Sequence, residues 1–101
     1  MHPEIELLVL KLHKATQLLQ AHQNLEWADW LTKDARKIHQ LDFHGIEHLL
    51  SAFGGMGSLN DVVLQLYDGS SLVVPSAENE QFAELREEIY SLASKLKSEE
   101  F

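Results

Sequence analysis

Apolar residues recur at spacings of three and four along the first part of the chain, which is the period of an α-helix. The first stripe follows Pro3, a residue suited to the first helical turn, and predicts a helix from Pro3 to about Gln23. Extra leucines widen the stripe, so we expect this helix to be buried on two sides or covered by another subunit. The stripe contains Ile5, Leu8, Val9, Leu12, Ala15 and Leu19, and the extra leucines are Leu7, Leu10 and Leu18.

A second helix is predicted from Leu25 to about His39, because Asn24 is a favourable N-cap. Two tryptophans three residues apart share one face of this helix. Each is either a core anchor or a surface residue that contacts a partner. The pattern favours the core for Trp30 and leaves both roles open for Trp27. The candidate core positions are Trp27, Trp30, Leu31, Asp34 or Ala35, and Ile38.

A third helix is predicted to begin after Asp42, a candidate cap, and to reach Phe53. Gly45 in its first turn costs about 1 kcal/mol relative to alanine, which favours close packing at that position. Gly54 is expected to end the helix in a left-handed conformation. Short connections predict that the first three helices pack as antiparallel neighbours.

The pattern changes in the glycine segment, which we define as Phe53–Asp61. Its glycines are expected to reverse the chain, at positive φ for Gly55 and Gly57, while nearby polar side chains bond the turned backbone. The alternative is an anion-binding nest of backbone N–H groups, but the segment lacks the lysine of a phosphate-binding loop. The predicted structural residues are Gly54, Gly55, Gly57 and Asn60, with Ser58 or Asp61 as further bonding partners and Met56 and Leu59 in the core.

Beyond this segment, the β-branched and aliphatic run at 62–67 and the shorter run at 71–74 flank a turn-forming Asp-Gly-Ser sequence. This arrangement predicts a short β-hairpin, which must rest on the helices to persist. A last helix follows, capped by Ser76 or Asn79, with Phe82, Leu85, Ile89, Leu92, Ala93 and Leu96 on one side. The predicted fold is a mainly α single domain, residues 1–101, with four helices and a short β-hairpin between helices 3 and 4.

The charge distribution narrows the possible functions. The net charge is −8, and residues 68–101 hold eight acidic residues against three basic ones. Such a surface repels phosphate backbones and attracts basic proteins, so nucleic acid is an unlikely partner, although acidity can also serve solubility alone. The absence of cysteine, of a basic leader and of a long apolar run is typical of a cytoplasmic protein without membrane contact.

One short motif is typical of metal chemistry. His44-Gly45-Ile46-Glu47-His48 fits the inverted zinc-protease pattern H-x-x-E-H, which places both histidines one turn apart. Zinc catalysis needs a third protein ligand and an open position. No third ligand is evident in a recognisable context, so we expect no bound metal and no cofactor, and a small hydrolase remains an alternative.

The glycine segment also carries a resemblance. Phe53-Gly54-Gly55-Met56-Gly57-Ser58-Leu59-Asn60-Asp61, preceded by Trp30 and Asp34, resembles a family of small uncharacterised bacterial proteins with a Phe-Gly-Gly-Met-Gly-Ser-x-Asn-Asp core. The similarity extends over about residues 25–95. It implies a helical fold and no established activity. By size and acidity the chain is also similar to immunity proteins of bacterial toxin systems.

These observations predict a non-enzymatic acidic protein that binds a basic partner, most plausibly an immunity protein that blocks the active site of a cognate toxin. The candidate contact residues are Asp61, Asp68, Glu80, Glu84, Glu87 and Glu88, with Trp27 or Tyr67 as an aromatic anchor. The alternatives are a homodimeric interaction module that uses the wide first helix, and the metal-dependent hydrolase.

Overall fold

The structure of the protein is a computed structural model that describes residues 3–54, 57–68 and 71–100, without the side chains of 66–68, 71–73 and 100. This part of the chain is mainly helical and contains four α-helices. They are α1 (Pro3–Ala21), α2 (Leu25–His39), α3 (His44–Leu50) and α4 (Ser76–Glu100). Two single turns of 3₁₀-helix, Ser51–Phe53 and Leu59–Asp61, lie between α3 and α4.

The long helices enclose one hydrophobic core, because α1 packs against both α2 and α4 and α3 packs against α2 and α4. α1 is therefore buried on two sides, which explains why its apolar stripe is wide. Two of the extra leucines, Leu7 and Leu10, nevertheless stay 41% and 49% exposed. The largest fully buried side chains are Leu8, Leu12, Leu19, Leu31, Ile38, Ile46, Leu49, Leu59, Leu64, Phe82, Ile89 and Leu96. Both tryptophans of α2 are half-buried and pack on this core.

The connection between α1 and α2 follows the predicted capping chemistry. α1 ends at Ala21, two residues before the predicted end, and Gln23 adopts a positive φ of 62°. The side chain of Asn24 then accepts a hydrogen bond from the backbone N–H of Trp27 at 3.3 Å. α2 begins at Leu25 and ends at His39, as predicted.

Gly45 lets α3 approach α2 closely, which confirms the packing expected there. A Cβ atom at this position would lie 2.8 Å from Cβ of Lys37 and 3.2 Å from Cγ1 of Ile38. At the start of α3, a carboxylate oxygen of Asp42 accepts the backbone N–H of His44 at 3.1 Å. The predicted residue therefore bonds the first N–H of α3, although the N-cap position itself is Phe43, and the helix lies against the α2 backbone.

The predicted left-handed cap at Gly54 is wrong. Gly54 has extended backbone angles, φ −111° and ψ 140°, after the chain tightens into the 3₁₀ turn Ser51–Phe53. The side-chain amide of Asn60 donates to the carbonyl oxygen of Phe53 at 3.0 Å. Because this side chain satisfies a carbonyl at the end of the helical segment, no left-handed cap residue is needed to bond it.

Three residues later a glycine does adopt the left-handed conformation. Gly57 has a φ of +75°, as predicted, and its N–H donates to a carboxylate oxygen of Asp61 at 2.7 Å. Leu59 is fully buried, also as predicted. The predictions for Gly55 and Met56 lie outside the described residues.

In the segment before α4, Val62 has extended backbone angles, and two short paired strands follow farther along the chain. Leu66–Asp68 and Ser71–Val73 pair antiparallel, with Leu66 opposite Val73 and Asp68 opposite Ser71. Residues 62–65, which were predicted to belong to the first strand, are not strand. At Leu64 a side chain takes the place of a neighbouring strand: Asn79 accepts from N–H of Leu64 at 2.8 Å and donates to its carbonyl at 3.0 Å.

This use of Asn79 also corrects its predicted role as a helix cap. α4 begins at Ser76, so Asn79 lies inside the first turn. Its amide also donates to the carbonyl oxygen of Pro75 at 2.8 Å. Asn79 therefore fastens the chain at Leu64 to α4.

Candidate functional site

One face of α4 carries a row of carboxylates, which we call the acidic row: Glu80, Glu84 and Glu87. Their spacing of four and three residues places them on the same side of the helix. All three are exposed, and they form no ion pair with any residue that the structure describes. Glu88 was predicted to join them, but its carboxylate pairs with the ammonium group of Lys11 on α1.

The nearest cation in sequence is directed away from this row. Nη1 of Arg86 donates to the carbonyl oxygens of Leu59, Asn60 and Val62 at 3.3, 3.2 and 3.2 Å. Burial lowers the pKa of Arg86, and the nearby Asp61 carboxylate opposes that shift. The guanidinium thus holds the second 3₁₀ turn on α4 and leaves the acidic row to face solvent.

A groove lies beside the acidic row, between α4 and the two 3₁₀ turns. An aromatic pair forms part of its wall, with the rings of Phe53 and Tyr90 5.3 Å apart between centroids and tilted by 58°. Tyr90 is 50% exposed, and Glu87 of the acidic row is part of the lining. The groove encloses about 590 Å³ and is lined by Phe53, Asn60, Ala83, Arg86, Glu87, Tyr90 and Ser91. We call it the Tyr90 groove.

The other predicted contact residues are less closely associated with this groove. Asp61 is exposed, but one carboxylate oxygen is bonded to the N–H of Gly57. Trp27 is half-buried against Trp30, with ring centroids 5.1 Å apart, and does not line the groove. The side chains of Asp68 and Tyr67 lie outside the described residues.

The sequence did not predict the pair formed by the exposed ring of Tyr90 and the half-buried ring of Phe53. A signal for Tyr90 was present, since it falls off the apolar stripe of α4 and three residues after Glu87. No local pattern marks Phe53, because it enters the groove only when the 3₁₀ turn places it against α4.

A second polar cluster joins α2 to α3. Asp34 is fully buried, and one of its carboxylate oxygens lies 2.5 Å from Nδ1 of His48. The imidazole of His48 stacks on the indole of Trp30, with centroids 4.2 Å apart and planes inclined by 16°. The His48 side chain is 43% exposed, so one side of the ring faces solvent. We call Asp34 and His48 the buried pair.

The environment of Asp34 disfavours its charge. Desolvation raises the pKa of Asp34, while the hydrogen bond and the electrostatic interaction with His48, the charge of Lys37 and the indole of Trp30 act in the opposite direction. The second carboxylate oxygen of Asp34 and the indole nitrogen of Trp30 are buried and form no hydrogen bond of good geometry with each other or with another group. Binding to His48 is therefore the main compensation for burying this carboxylate.

The predicted metal motif does not assemble into a metal site. His44 and His48 each bond a different aspartate, with Nδ1 of His44 3.1 Å from a carboxylate oxygen of Asp42. Glu47 is exposed. Among the residues that the structure describes, no three histidine, cysteine, aspartate or glutamate side chains are placed to hold a metal ion together.

Residues 20–73 match the profile of the domain of unknown function DUF6966, and this match spans more than half of the chain. The chain belongs to this family. Comparison with curated proteins and with solved structures finds no match. None of the helices in the described residues is long and apolar enough to cross a membrane.

The DUF6966 match separates the two polar regions. It includes α2, α3 and the glycine segment, and hence Trp30, Asp34 and His48. It ends at residue 73, before α4 begins, so the acidic row and Tyr90 lie outside it. The buried pair is thus inside the family domain, whereas the acidic surface belongs to the part of the chain beyond it.

Proposed function

We propose that the protein binds a basic protein partner through the acidic row and the Tyr90 groove, and that it acts as an immunity protein by covering the active site of a cognate toxin. The observation that carries the proposal is the juxtaposition of three unpaired, exposed carboxylates with a half-exposed tyrosine. Partner binding of this kind requires no catalysis by the protein itself.

The two parts of this surface would contribute differently to binding. Exposed carboxylates attract a basic partner over several ångströms, which raises the association rate and makes it sensitive to salt. An aromatic side chain beside a groove supplies contact area at low conformational cost, and tyrosine is enriched among residues that dominate binding energy. Tyr90 is therefore the expected anchor, and the acidic row provides the steering.

Toxins that attack nucleic acid or nucleotides have basic clefts, because their substrates are polyanions. An acidic protein that occupies such a cleft competes directly with the substrate. The net charge of −8, with the largest excess of acids in residues 68–101, is consistent with this mode of inhibition.

The test is capture of partners from the source cells by three tagged proteins at low salt. The first is the natural protein, the second carries Glu80→Gln, Glu84→Gln and Glu87→Gln, and the third carries Glu6→Gln, Glu26→Gln and Glu47→Gln. The control triple removes the same charge from exposed positions off the acidic row. We expect a basic protein to be retained by the natural protein and the control triple, and lost from the acidic-row triple.

Tyr90→Ala then separates steering from anchoring. With the purified partner it should raise the dissociation rate, whereas the acidic-row triple should mainly lower the association rate. Equal loss of the partner from the acidic-row triple and the control triple would contradict the proposed binding surface. Binding without inhibition of the partner's activity would retain the binding surface and refute the immunity role.

A homodimer is the second candidate, because Leu7 and Leu10 leave an apolar strip of α1 exposed. If a second copy covers this strip, light scattering should give twice the monomer mass, and the double variant Leu7→Lys and Leu10→Lys should restore the monomer mass. A monomer at every concentration tested would remove this candidate.

A further inference from the structure

The buried pair arranges His48 in a way that the proposed binding surface does not use. When Asp34 is ionised, its carboxylate only accepts hydrogen bonds, and Nδ1 of His48 then donates to it. In the neutral ring the lone pair then lies on the other nitrogen, Nε2. Stacking on Trp30 fixes the plane of the ring, and the partial exposure of the side chain leaves it accessible from solvent.

From this geometry we propose that His48 is a phosphoryl-accepting residue, with Nε2 as the nucleophile, Asp34 as the positioning residue and a small acyl phosphate as the donor. His48 differs from His22 and His44, which are also bonded through Nδ1, because its acceptor is a fully buried carboxylate. The inference does not rest on the proposed binding function.

The reaction is balanced without a further reactant. The Nε2 lone pair attacks phosphorus, an N–P bond forms, and the P–O bond to the acyl group breaks, with its electron pair leaving on the carboxylate product. The imidazole gains positive charge as the bond forms, and the proton on Nδ1 stays in the hydrogen bond to Asp34. The buried carboxylate balances that charge, which is the usual role of an acidic group behind a reacting histidine.

The charges around the ring are mixed. Lys37 on α2 is close enough to act on the Asp34 carboxylate, whereas the exposed Glu47, on α3 with His48, opposes the approach of an anion. The raised pKa of Asp34 makes the carboxylate a stronger hydrogen-bond acceptor once it is ionised. A donor of low charge, such as acetyl phosphate, is therefore the appropriate probe.

His44 is the internal control. It lies on the same helix, its Nδ1 also bonds an aspartate, and its side chain is 86% exposed, so access alone would favour His44 over His48. The difference is that the Asp42 carboxylate is 45% exposed, whereas Asp34 is fully buried. Faster labelling of His48 than of His44 would therefore show that orientation of the ring by Asp34, rather than exposure of the side chain, determines the labelling rate.

The experiment is incubation of the full chain with acetyl phosphate, followed at neutral pH by intact mass, with His48→Gln and His44→Gln as matched variants. We expect the first phosphoryl group to be acid-labile, to be lost from the His48→Gln protein and to be retained by His44→Gln. Labelling at His48 should exceed that at His44 by about tenfold or more. Denaturation in urea should remove the advantage, because the pair then no longer orients the ring.

Asp34→Asn tests the positioning role. The amide can donate to Nδ1 and so favour the tautomer with its proton on Nε2, which should slow labelling of His48 by about tenfold. The ring-nitrogen NMR shifts of His48 should change to that tautomer in the folded variant, which would link the slower labelling to the position of the ring proton rather than to unfolding. Equal labelling of both histidines, or a proton on Nε2 in the natural protein, would overturn the proposal.

Discussion

Two aspartate–histidine pairs are associated with α3, and they differ mainly in burial. The Asp42–His44 pair at the start of the helix has side chains that are 45% and 86% exposed, whereas Asp34 of the buried pair is fully covered and His48 is 43% exposed. The corresponding oxygen–nitrogen distances are 3.1 and 2.5 Å. The same two residue types therefore have unequal roles within one short helix.

The comparison shows how burial changes the role of a hydrogen bond. Around Asp42 and His44, water competes for both partners, so their mutual bond adds little to stability. The Asp34 carboxylate is buried away from solvent, and losing its partner would leave an uncompensated buried charge. The buried pair consequently couples α2 to α3, while the exposed pair acts locally on the start of α3.

The largest effect should come from His48→Ala. This change leaves the buried Asp34 carboxylate without its main partner and removes the ring stacked on Trp30, and we expect a loss of about 3 kcal/mol in the free energy of unfolding. The matched change His44→Ala should stay within about 0.5 kcal/mol. Urea unfolding at neutral pH measures both, and equal losses would contradict the distinction between the pairs.

The next effect should come from Gly45→Ala, which tests the close approach that makes the buried pair possible. The new methyl group would contact the base of the Lys37 side chain and push α3 from α2, at a cost of about 2 kcal/mol. NMR signals of the His48 ring should move more than those of His44.

Gly54→Ala is the control for Gly45→Ala. Apart from its chain neighbours, no atom of the described residues lies within 4 Å of a Cβ at Gly54, and its backbone is extended, so the control should be close to neutral. A neutral Gly45→Ala would show that α3 does not depend on this close contact with α2.

A smaller effect is expected for Asp42→Ala. The carboxylate of Asp42 bonds the backbone N–H of His44 as well as its ring, and loss of a helix-capping side chain costs about 1 kcal/mol. Since His44→Ala retains the backbone bond, Asp42→Ala should be the more damaging change of the two. The reverse order in thermal or urea unfolding would mean that the ring contact, rather than capping, gives Asp42 its role.

The smallest expected effect is the change with pH in the stability difference between the natural protein and Asp34→Asn, since it involves the protonation of a single carboxylate. Burial raises the pKa of Asp34 above its ordinary value of 3.8, so the folded protein holds this proton more tightly than the unfolded chain does. That stability is fully present below pH 3.8 and is lost as the pH rises through the pKa of the folded state. Relative to Asp34→Asn, the natural protein should therefore become less stable with increasing pH.

Urea unfolding of both proteins over a pH series measures this difference, with Asp42→Asn as the control for removal of one carboxylate. If the natural protein instead keeps or gains stability relative to Asp34→Asn as the pH rises, the interaction with His48 outweighs desolvation.

Much of the fold followed from local pattern. The apolar period of α1, α2 and α4 is a property of neighbouring residues, and Asn24 caps α2 through a contact only three residues long. The close packing at Gly45 and the positive φ of Gly57 were also predictable, because each reflects what a missing side chain allows. The net charge and the exposed position of the acidic row followed from composition and helical spacing.

The tertiary structure decided the features that join distant residues. Asp34 and His48 are 14 residues apart, Asn79 bonds Leu64 across 15 residues, and Arg86 reaches carbonyls up to 27 residues away. From the sequence, periodicity placed Asp34 or Ala35 in the core stripe of α2 and indicated no partner for Asp34. The histidine motif suggested a metal ion, rather than a carboxylate, as the partner of His48. A local pattern encodes hydrogen bonds within a helix or turn, whereas these contacts depend on which faces meet after packing, so they appear only in the folded chain.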